Sequence, residues 1–340
     1  MMTSARRMSV NWVESLFLII SLVGVAAALS STHWFGVWFG LELNLVGFMP
    51  LMAGSRSPSE MESCVKYFLS QGVGSGLLMF GALGGWVTGG SMEVTAPFMC
   101  MNLWGVLVVG LFLKLGVAPF HFWVAGAMSG VSWGVCFLLS SVQKAGPLFC
   151  LGYITTNKSI LIWVGGLSAL VGGVGGCFQT RMRPLLGYSS VSHMGWCLGA
   201  MGDSVACASY YFLWYLISVA GIFAILKEME VYSMKAIFSS GLSGKWLLLS
   251  LMLLSLSGLP PFAIFFGKVS VILSVFYIAP GAVVPFLLGS GVSLYFYIKL
   301  IFTSWAIGGV SQQHVSVTSS SQSVSWFLSL CFLSSAVVLW

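Results

Sequence analysis

Residues 103–123 read LWGVLVVGLFLKLGVAPFHFW. A long apolar run carries Lys114 near its end, and Gly116 and Pro119 follow at once. Such a run is typical of a helix in a lipid bilayer, where a lysine at the helix centre costs about 2.5–3.5 kcal/mol on insertion scales. Proline removes an intrahelical hydrogen bond and clashes with the preceding turn. The stretch therefore predicts a membrane helix that is interrupted beside a positive charge.

The whole chain has the composition of a membrane protein. Of its 340 residues, 58% are hydrophobic and 6% are charged, whereas about 25% of the residues of an ordinary soluble domain are charged. Apolar stretches of spanning length recur from end to end, and the alternating pattern of a membrane barrel does not occur. Because a helix satisfies its own backbone hydrogen bonds in lipid, the sequence predicts an all-α, polytopic transmembrane helical bundle.

About eleven membrane helices can be drawn, and they form one transmembrane domain over residues 1–340. We expect the fifth helix to be broken near Pro147 and the ninth to be broken in the segment SGLPPF at 257–262. A polar, serine-rich loop at 311–325 precedes the last helix. The predicted helices cover residues 10–30, 33–53, 62–88, 97–118, 129–155, 159–178, 185–202, 205–227, 243–276, 281–307 and 324–340.

The charges in the predicted loops segregate to one side of the membrane. If the helices alternate from an N-terminus on side A, side B receives Lys158 together with Glu93 and Asp203. Excess basic charge marks the cytoplasmic side or its topological equivalent, so side A is predicted to be that side. The basic residues on side A are Arg6, Arg7, Arg56, Arg181, Arg183, Lys227, Lys235 and Lys245.

The sequence carries no motif for a metal, a redox cofactor or a nucleotide. No two of the eight cysteines are closer than ten residues, so no CxxC site can be written. Neither a GxGxxG fingerprint nor a P-loop occurs, and the scattered basic residues do not predict nucleic-acid binding. The glycine-rich runs at 72–85 (Gly72/Gly76 and Gly81/Gly85 spacing) and at 172–176 predict close helix packing rather than phosphate binding.

Four ionisable residues lie well inside the predicted helices: Glu42, Lys114, Lys144 and Lys268. Each lysine has a proline within ten residues, and a broken helix in a membrane is where backbone carbonyls and water can accommodate a titratable group. Burial disfavours the charged amine and a nearby anion favours it, so such a group exchanges its proton when a neighbouring charge moves. The four residues are therefore predicted to form a proton relay. The alternative is that the lysines are anchors that reach the lipid interface.

Two histidines are second-rank relay candidates. His121 follows Pro119 at the break, and His193 lies among serines in a helix of small residues. A lone histidine in a membrane helix is also a common packing residue, and that alternative stays open for both. No nucleophile–base pair and no carboxylate pair is visible, so we do not expect chemistry on a substrate within this chain.

Seven segments, in order along the chain, together resemble the chain 2 family of mitochondrial NADH–ubiquinone oxidoreductase, antiporter-like membrane subunits of respiratory complex I. Taken together they are specific, whereas no single segment would be. The segments are SSTHWFGVWFGLELNLVGFMPLM (30–52), ESCVKYFLSQG (62–72), KLGVAPFHFWV (114–124), VQKAGPL (142–148), LLGYSSVSHMGW (185–196), SLSGLPPFAIFFGK (255–268) and YFYIKLIF (295–302).

The resemblance implies a role for each of the four ionisable residues. Glu42 would be the glutamate of a paired glutamate–lysine site, with Lys114 as its partner. Lys144 would be the central relay lysine, and Lys268 the terminal lysine near the exit. NADH, flavin, iron–sulfur clusters and ubiquinone would be used by other subunits, so this chain would belong to an NADH:ubiquinone reductase without holding a redox centre or a cofactor.

The resemblance also implies a location and partners. It predicts a multi-pass protein of the mitochondrial inner membrane with its N-terminus on the matrix side, in contact with other membrane-arm subunits of complex I. The partners would further include the lipid bilayer, with cardiolipin at Arg181 and Arg183 on the basic side. The chain departs from the family near Lys268, where Ile264 replaces a usual glycine and Gly267 a usual proline.

Two other functions are compatible with a bundle of this kind. The first is a cation/proton antiporter that works alone, for which a carboxylate-rich ion site would be expected. The second is a purely structural membrane subunit whose lysines are inert.

Overall fold

The computed structural model describes residues 2–54, 57–94, 101–154, 158–229 and 244–308, and these are helical almost throughout. Within these described ranges, six helical segments are long and apolar enough to cross a membrane, and the prediction of an all-α transmembrane bundle is confirmed. The helices are α1 (Met2–Ser30), α2 (Trp34–Met52), α3 (Pro58–Gly89), α4 (Met101–Leu115), α5 (Phe122–Gly130), α6 (Trp133–Ser140), α7 (Val142–Ile154), α8 (Lys158–Cys177), α9 (Met182–Met201), α10 (Val205–Met229), α11 (Gly244–Ser257), α12 (Ala263–Ile278) and α13 (Val283–Gly308).

The described helices group into two compact units, the first formed by α1 to α7 and the second by α8 to α13. The single transmembrane domain remains a prediction. The predicted polar loop at 311–325 and the predicted helix at 324–340 lie outside the described residues.

Glycines bring the helices of the first unit into close contact. A Cβ atom on Gly24 of α1 would lie 2.8 Å from the Cα of Asn44 on α2. A Cβ on Gly110 of α4 would lie 2.8 Å from the backbone nitrogen of Leu78 on α3. Real Cβ atoms do not approach so closely, so these helix pairs depend on glycine, as is typical of helix packing in lipid.

The glycine predictions are confirmed only in part. In the run at 172–176, a Cβ on Gly172 would lie 2.9 Å from the Cα of Ser192, so α8 and α9 pack closely there. In the other run, Gly72 and Gly76 have no atom within 4 Å of an added Cβ. Close contacts are made from Gly81, which was predicted, and from Gly74, which was not. The two share a helix face because positions seven apart return to the same side.

The break predicted after Lys114 is present. α4 ends at Leu115, Gly116 follows with φ +71°, and the chain is helical again from Phe122. The prediction that residues 119–128 lie outside a helix is wrong, since α5 occupies most of them. The interruption is short because the helix breakers stop at Pro119, and the apolar segment after it can resume helical geometry.

The fifth predicted helix is broken, but six residues before Pro147. α6 ends at Ser140 and α7 begins at Val142, with Pro147 inside α7. At the break the hydroxyls of Ser140 and Ser141 both donate to the carbonyl oxygen of Phe137, and such side-chain bonds compete with the helical ladder.

The ninth predicted helix is interrupted where its prolines lie. α11 ends at Ser257, Gly258 has φ +77°, and α12 begins at Ala263. Only glycine adopts such a φ without strain, so Gly258 and the two prolines that follow together account for this break.

Candidate functional site

Glu42 and Lys114 form an ion pair in the first unit. The Nζ atom of Lys114 lies 3.6 Å from Oε1 of Glu42, and the side chains are 2% and 27% exposed. Lys114 lies in the last turn of α4, where the negative end of the helix dipole favours a cation. The distance is longer than a direct N–H···O hydrogen bond, so the pair is held mainly by Coulomb attraction.

The neighbouring helix α3 shapes the surroundings of Lys114. The side-chain nitrogen Nε2 of Gln71 donates a hydrogen bond of 3.3 Å to the carbonyl oxygen of Lys114. A Cβ on Gly74 would lie 2.9 Å from the Cγ of Lys114. The lysine stem therefore passes along a surface that α3 leaves open by having no side chain at Gly74.

Lys144 lies in the first turn of α7 and is fully buried. Its backbone N–H donates to the carbonyl oxygen of Ser141 at the break, at 3.1 Å. The preceding residue, Gln143, exchanges two hydrogen bonds of 2.9 Å with the side chain of Asn44 on α2. Its Oε1 also accepts a bond of 2.7 Å from the hydroxyl of Tyr67 on α3. The lysine thus follows a residue that is bonded to two other helices.

His121 lies in the interruption between α4 and α5 and is buried. Its Nδ1 atom is 3.2 Å from the carbonyl oxygen of Pro119. Because a carbonyl oxygen can only accept, Nδ1 carries the hydrogen in this bond. The imidazole also lies against the ring of Phe122, with 4.2 Å between the ring centres.

Lys268 is buried in the second unit, beside the other helix break. Its Nζ donates a hydrogen bond of 2.9 Å to the carbonyl oxygen of Ser257, the last residue of α11. The same Nζ lies 5.4 Å from the ring centre of Trp196 on α9. Both a helix C-terminus and the face of an indole favour a positive charge.

His193 lies on α9, one turn before Trp196. Its Nδ1 is 3.0 Å from the hydroxyl oxygen of Tyr211 on α10. Tyr211 in turn stacks on Trp196, with 6.4 Å between ring centres, and Trp196 contacts Lys268. A continuous row of contacts therefore joins the two sequence-predicted residues of this unit.

The structure brings together Glu42 and Lys114, which are 72 positions apart along the chain. Sequence-based prediction did not identify Tyr67 and Gln71 as contributors to the site. The signal available was their spacing of four residues, which puts two polar side chains on one face of an apolar helix.

No metal site is formed by the part of the chain that the structure describes. Within those residues, no group of three or more His, Cys, Asp or Glu side chains could hold a metal ion.

Comparison with known proteins identifies the family. The sequence model described as "NADH:quinone oxidoreductase/Mrp antiporter, TM" matches residues 31–293. The chain belongs to this family. The matched range includes Glu42 and all three buried lysines, so the site lies within the shared part of this NADH:quinone oxidoreductase/Mrp antiporter family.

Relatives from animals cover most of the chain. A protein named NADH-ubiquinone oxidoreductase chain 2 from Lumbricus terrestris is 33% identical over 319 residues, which is 92% of each chain. A protein of the same name from Myxine glutinosa is 37% identical over 298 residues, covering 85% of this chain and 84% of the relative. The resemblance found in the seven sequence segments is therefore confirmed.

A solved structure of the same fold comes from respiratory complex I of Thermus thermophilus. A chain of that complex superposes with a TM-score of 0.81 at 26% identity, over 96% of this chain and 77% of the bacterial one. This structural match supports the prediction that the chain has the fold of an antiporter-like membrane subunit.

Proposed function

We propose that this chain is a proton-translocating membrane subunit of a complex I-type NADH:ubiquinone oxidoreductase, with Glu42, Lys114, Lys144 and Lys268 as its relay. The observation that carries the proposal is the ion pair at the α4 break, where the Nζ atom of the buried Lys114 lies 3.6 Å from Oε1 of Glu42. A buried amine with a single adjacent carboxylate changes its protonation when the charge of that carboxylate changes. Such a pair is therefore suited to coupling one proton transfer to another.

The other two lysines occupy settings of the same kind. Lys144 follows the Ser141 break, and Lys268 faces the break between α11 and α12. Moving one charge across a membrane potential of 100 mV involves about 2.3 kcal/mol. This energy is comparable with that of local charge interactions of the kind seen at these lysines.

His121 and His193 are second-rank members of the relay. His121 is buried and bonded to the Pro119 carbonyl in the break that follows Lys114. His193 is buried and bonded to Tyr211, which stacks on Trp196, the aromatic neighbour of Lys268.

The chain acts as one part of a larger enzyme in this proposal. Other subunits use NADH, flavin, iron–sulfur clusters and ubiquinone, and neighbouring membrane-arm subunits are its partners. Its location is the mitochondrial inner membrane, with the N-terminus on the matrix side, in keeping with the segregation of basic loop residues. Arg181 and Arg183, at the start of α9, are proposed to contact the headgroup of an anionic lipid such as cardiolipin.

The substitution Lys114→Met tests the proposal in the assembled complex. We expect normal assembly and NADH oxidation at a reduced rate, with loss of proton translocation per NADH oxidised, because methionine keeps the stem but not the amine. Lys66→Met on α3 is the matched control, since Lys66 forms an exposed pair with Glu62. Proton flux is measured in sealed vesicles with a pH-sensitive dye.

Full proton translocation by Lys114→Met would contradict the relay. Full translocation after replacement of all three buried lysines would favour a structural subunit instead. Ion exchange by the isolated chain would favour an antiporter that works alone.

A further inference from the structure

Two polar residues of α3 contact both lysine-bearing segments of the first unit. Tyr67 and Gln71 are four residues apart and therefore lie on one face of the helix. The hydroxyl of Tyr67 donates to Gln143, which precedes Lys144. Gln71 donates to the carbonyl oxygen of Lys114 itself. One helix face is thus bonded to the backbone of one lysine and to the neighbour of the other.

The Tyr67 contact belongs to a buried polar cluster. The carboxamides of Gln143 and Asn44 bond to each other through both their nitrogen and oxygen atoms. Because Gln143 Oε1 also accepts from Tyr67, its orientation is set by two donors. All three side chains are buried, where each hydrogen bond gains strength and where losing one leaves a polar group unsatisfied. The cluster therefore links α2, α3 and α7 through side-chain hydrogen bonds.

The Gln71 contact completes the end of α4. The last carbonyl groups of a helix lack their usual intrahelical donors. At the end of α4 the Leu113 carbonyl accepts a backbone hydrogen bond of 3.2 Å from Gly116, and side chains supply further donors. The indole Nε1 of Trp123 donates to the Leu113 carbonyl at 3.0 Å, and Gln71 donates to that of Lys114. The Trp123 ring also contacts the ring of Tyr67, with 5.7 Å between centres. The Tyr67 cluster and the hydrogen bonds at the end of α4 are therefore connected through Trp123.

We propose that Tyr67 and Gln71 are positioning residues of the relay, which hold the segments bearing Lys114 and Lys144 at a fixed separation. The inference rests on the function proposed above. Proton transfer depends steeply on the distance and orientation of the groups involved, and a group acts well only where neighbouring hydrogen bonds hold it in place. Neither residue exchanges a proton in this proposal.

The test uses Tyr67→Phe and Gln71→Met in the assembled complex. Phenylalanine keeps the ring contacts and methionine keeps the length of the side chain, so each variant loses only its hydrogen bond. We expect each variant to translocate protons about two- to tenfold more slowly per assembled complex, the factor that corresponds to one hydrogen bond. The pH profile of translocation should also shift, because the surroundings of the amines change. Tyr297→Phe is the control, since Tyr297 is equally buried and its hydroxyl bonds to none of the four relay residues within the described residues.

The outcomes separate this inference from the function on which it rests. Lys114→Met is measured in the same series, and full translocation by that variant would overturn the relay itself. If Lys114→Met is inactive but Tyr67→Phe and Gln71→Met keep the wild-type rate and pH profile, only the positioning role is overturned. If neither α3 variant assembles while Tyr297→Phe does, the two residues serve folding, and the inference is wrong.

Discussion

Replacement of Glu42 by glutamine removes the charge beside Lys114 and leaves the size of the side chain unchanged. At 3.6 Å and an effective dielectric constant of about 20, two unit charges attract by about 5 kcal/mol. Water at the exposed quarter of Glu42 screens the pair and reduces the loss to about 2 kcal/mol. This corresponds to about thirtyfold in the balance between the charged and neutral amine. We therefore expect Glu42→Gln to lower proton translocation by at least about tenfold per NADH oxidised.

The matched control is Glu62→Gln. Glu62 pairs with Lys66 on the surface of α3, and the two side chains are 68% and 45% exposed. Exposed pairs of this kind contribute about 0–1 kcal/mol, so this variant should pump like the unmodified protein. Glu42→Asp keeps the charge but withdraws it by about 1.5 Å, and its rate should lie between those of Glu42→Gln and the unmodified protein.

The assay follows proton uptake by sealed vesicles during NADH oxidation, with the amount of assembled complex measured on a native gel. A normal ratio of protons to NADH in Glu42→Gln would refute the reasoning, because the only carboxylate within ion-pair distance of Lys114 among the described residues would then be dispensable.

Two further predictions concern the aromatic neighbour of Lys268 and the packing of the helices. Trp196→Leu should slow proton translocation by about tenfold per assembled complex and Trp196→Phe by less, because a buried cation–π contact contributes about 2 kcal/mol and phenylalanine retains part of it; equal rates in the two variants would contradict this role. Gly24→Ala should lower the thermal midpoint of the complex, because its methyl group would lie 2.8 Å from the Cα of Asn44 and such overpacking costs about 1–3 kcal/mol. Gly72→Ala, with no atom within 4 Å, is the control and should leave the midpoint unchanged or raise it, and a drop of equal size in both would argue against a packing effect.

Several features of the fold could be predicted because they depend on local sequence. The helices follow from apolar length, and the break at Gly258 follows from the glycine and prolines at that point. The break in the fifth predicted helix was expected near Pro147 but occurs at Ser141, because proline is not the only residue that interrupts a helix. Serine hydroxyls compete for the carbonyl of Phe137, and whether they do so depends on side-chain conformations that composition does not specify.

The residues of the candidate site were likewise predictable only in part from the sequence. The sequence by itself determined that Glu42, Lys114, Lys144 and Lys268 are charges within apolar helices, because such a residue is conspicuous and energetically expensive there. The resemblance predicted Lys114 as the partner of Glu42. Only the tertiary structure gave their separation of 3.6 Å and showed that one face of α3 bonds to both lysine-bearing segments. The physical reason is that hydropathy sets which segments enter the membrane, whereas the rotation and register of each helix depend on close packing against its neighbours.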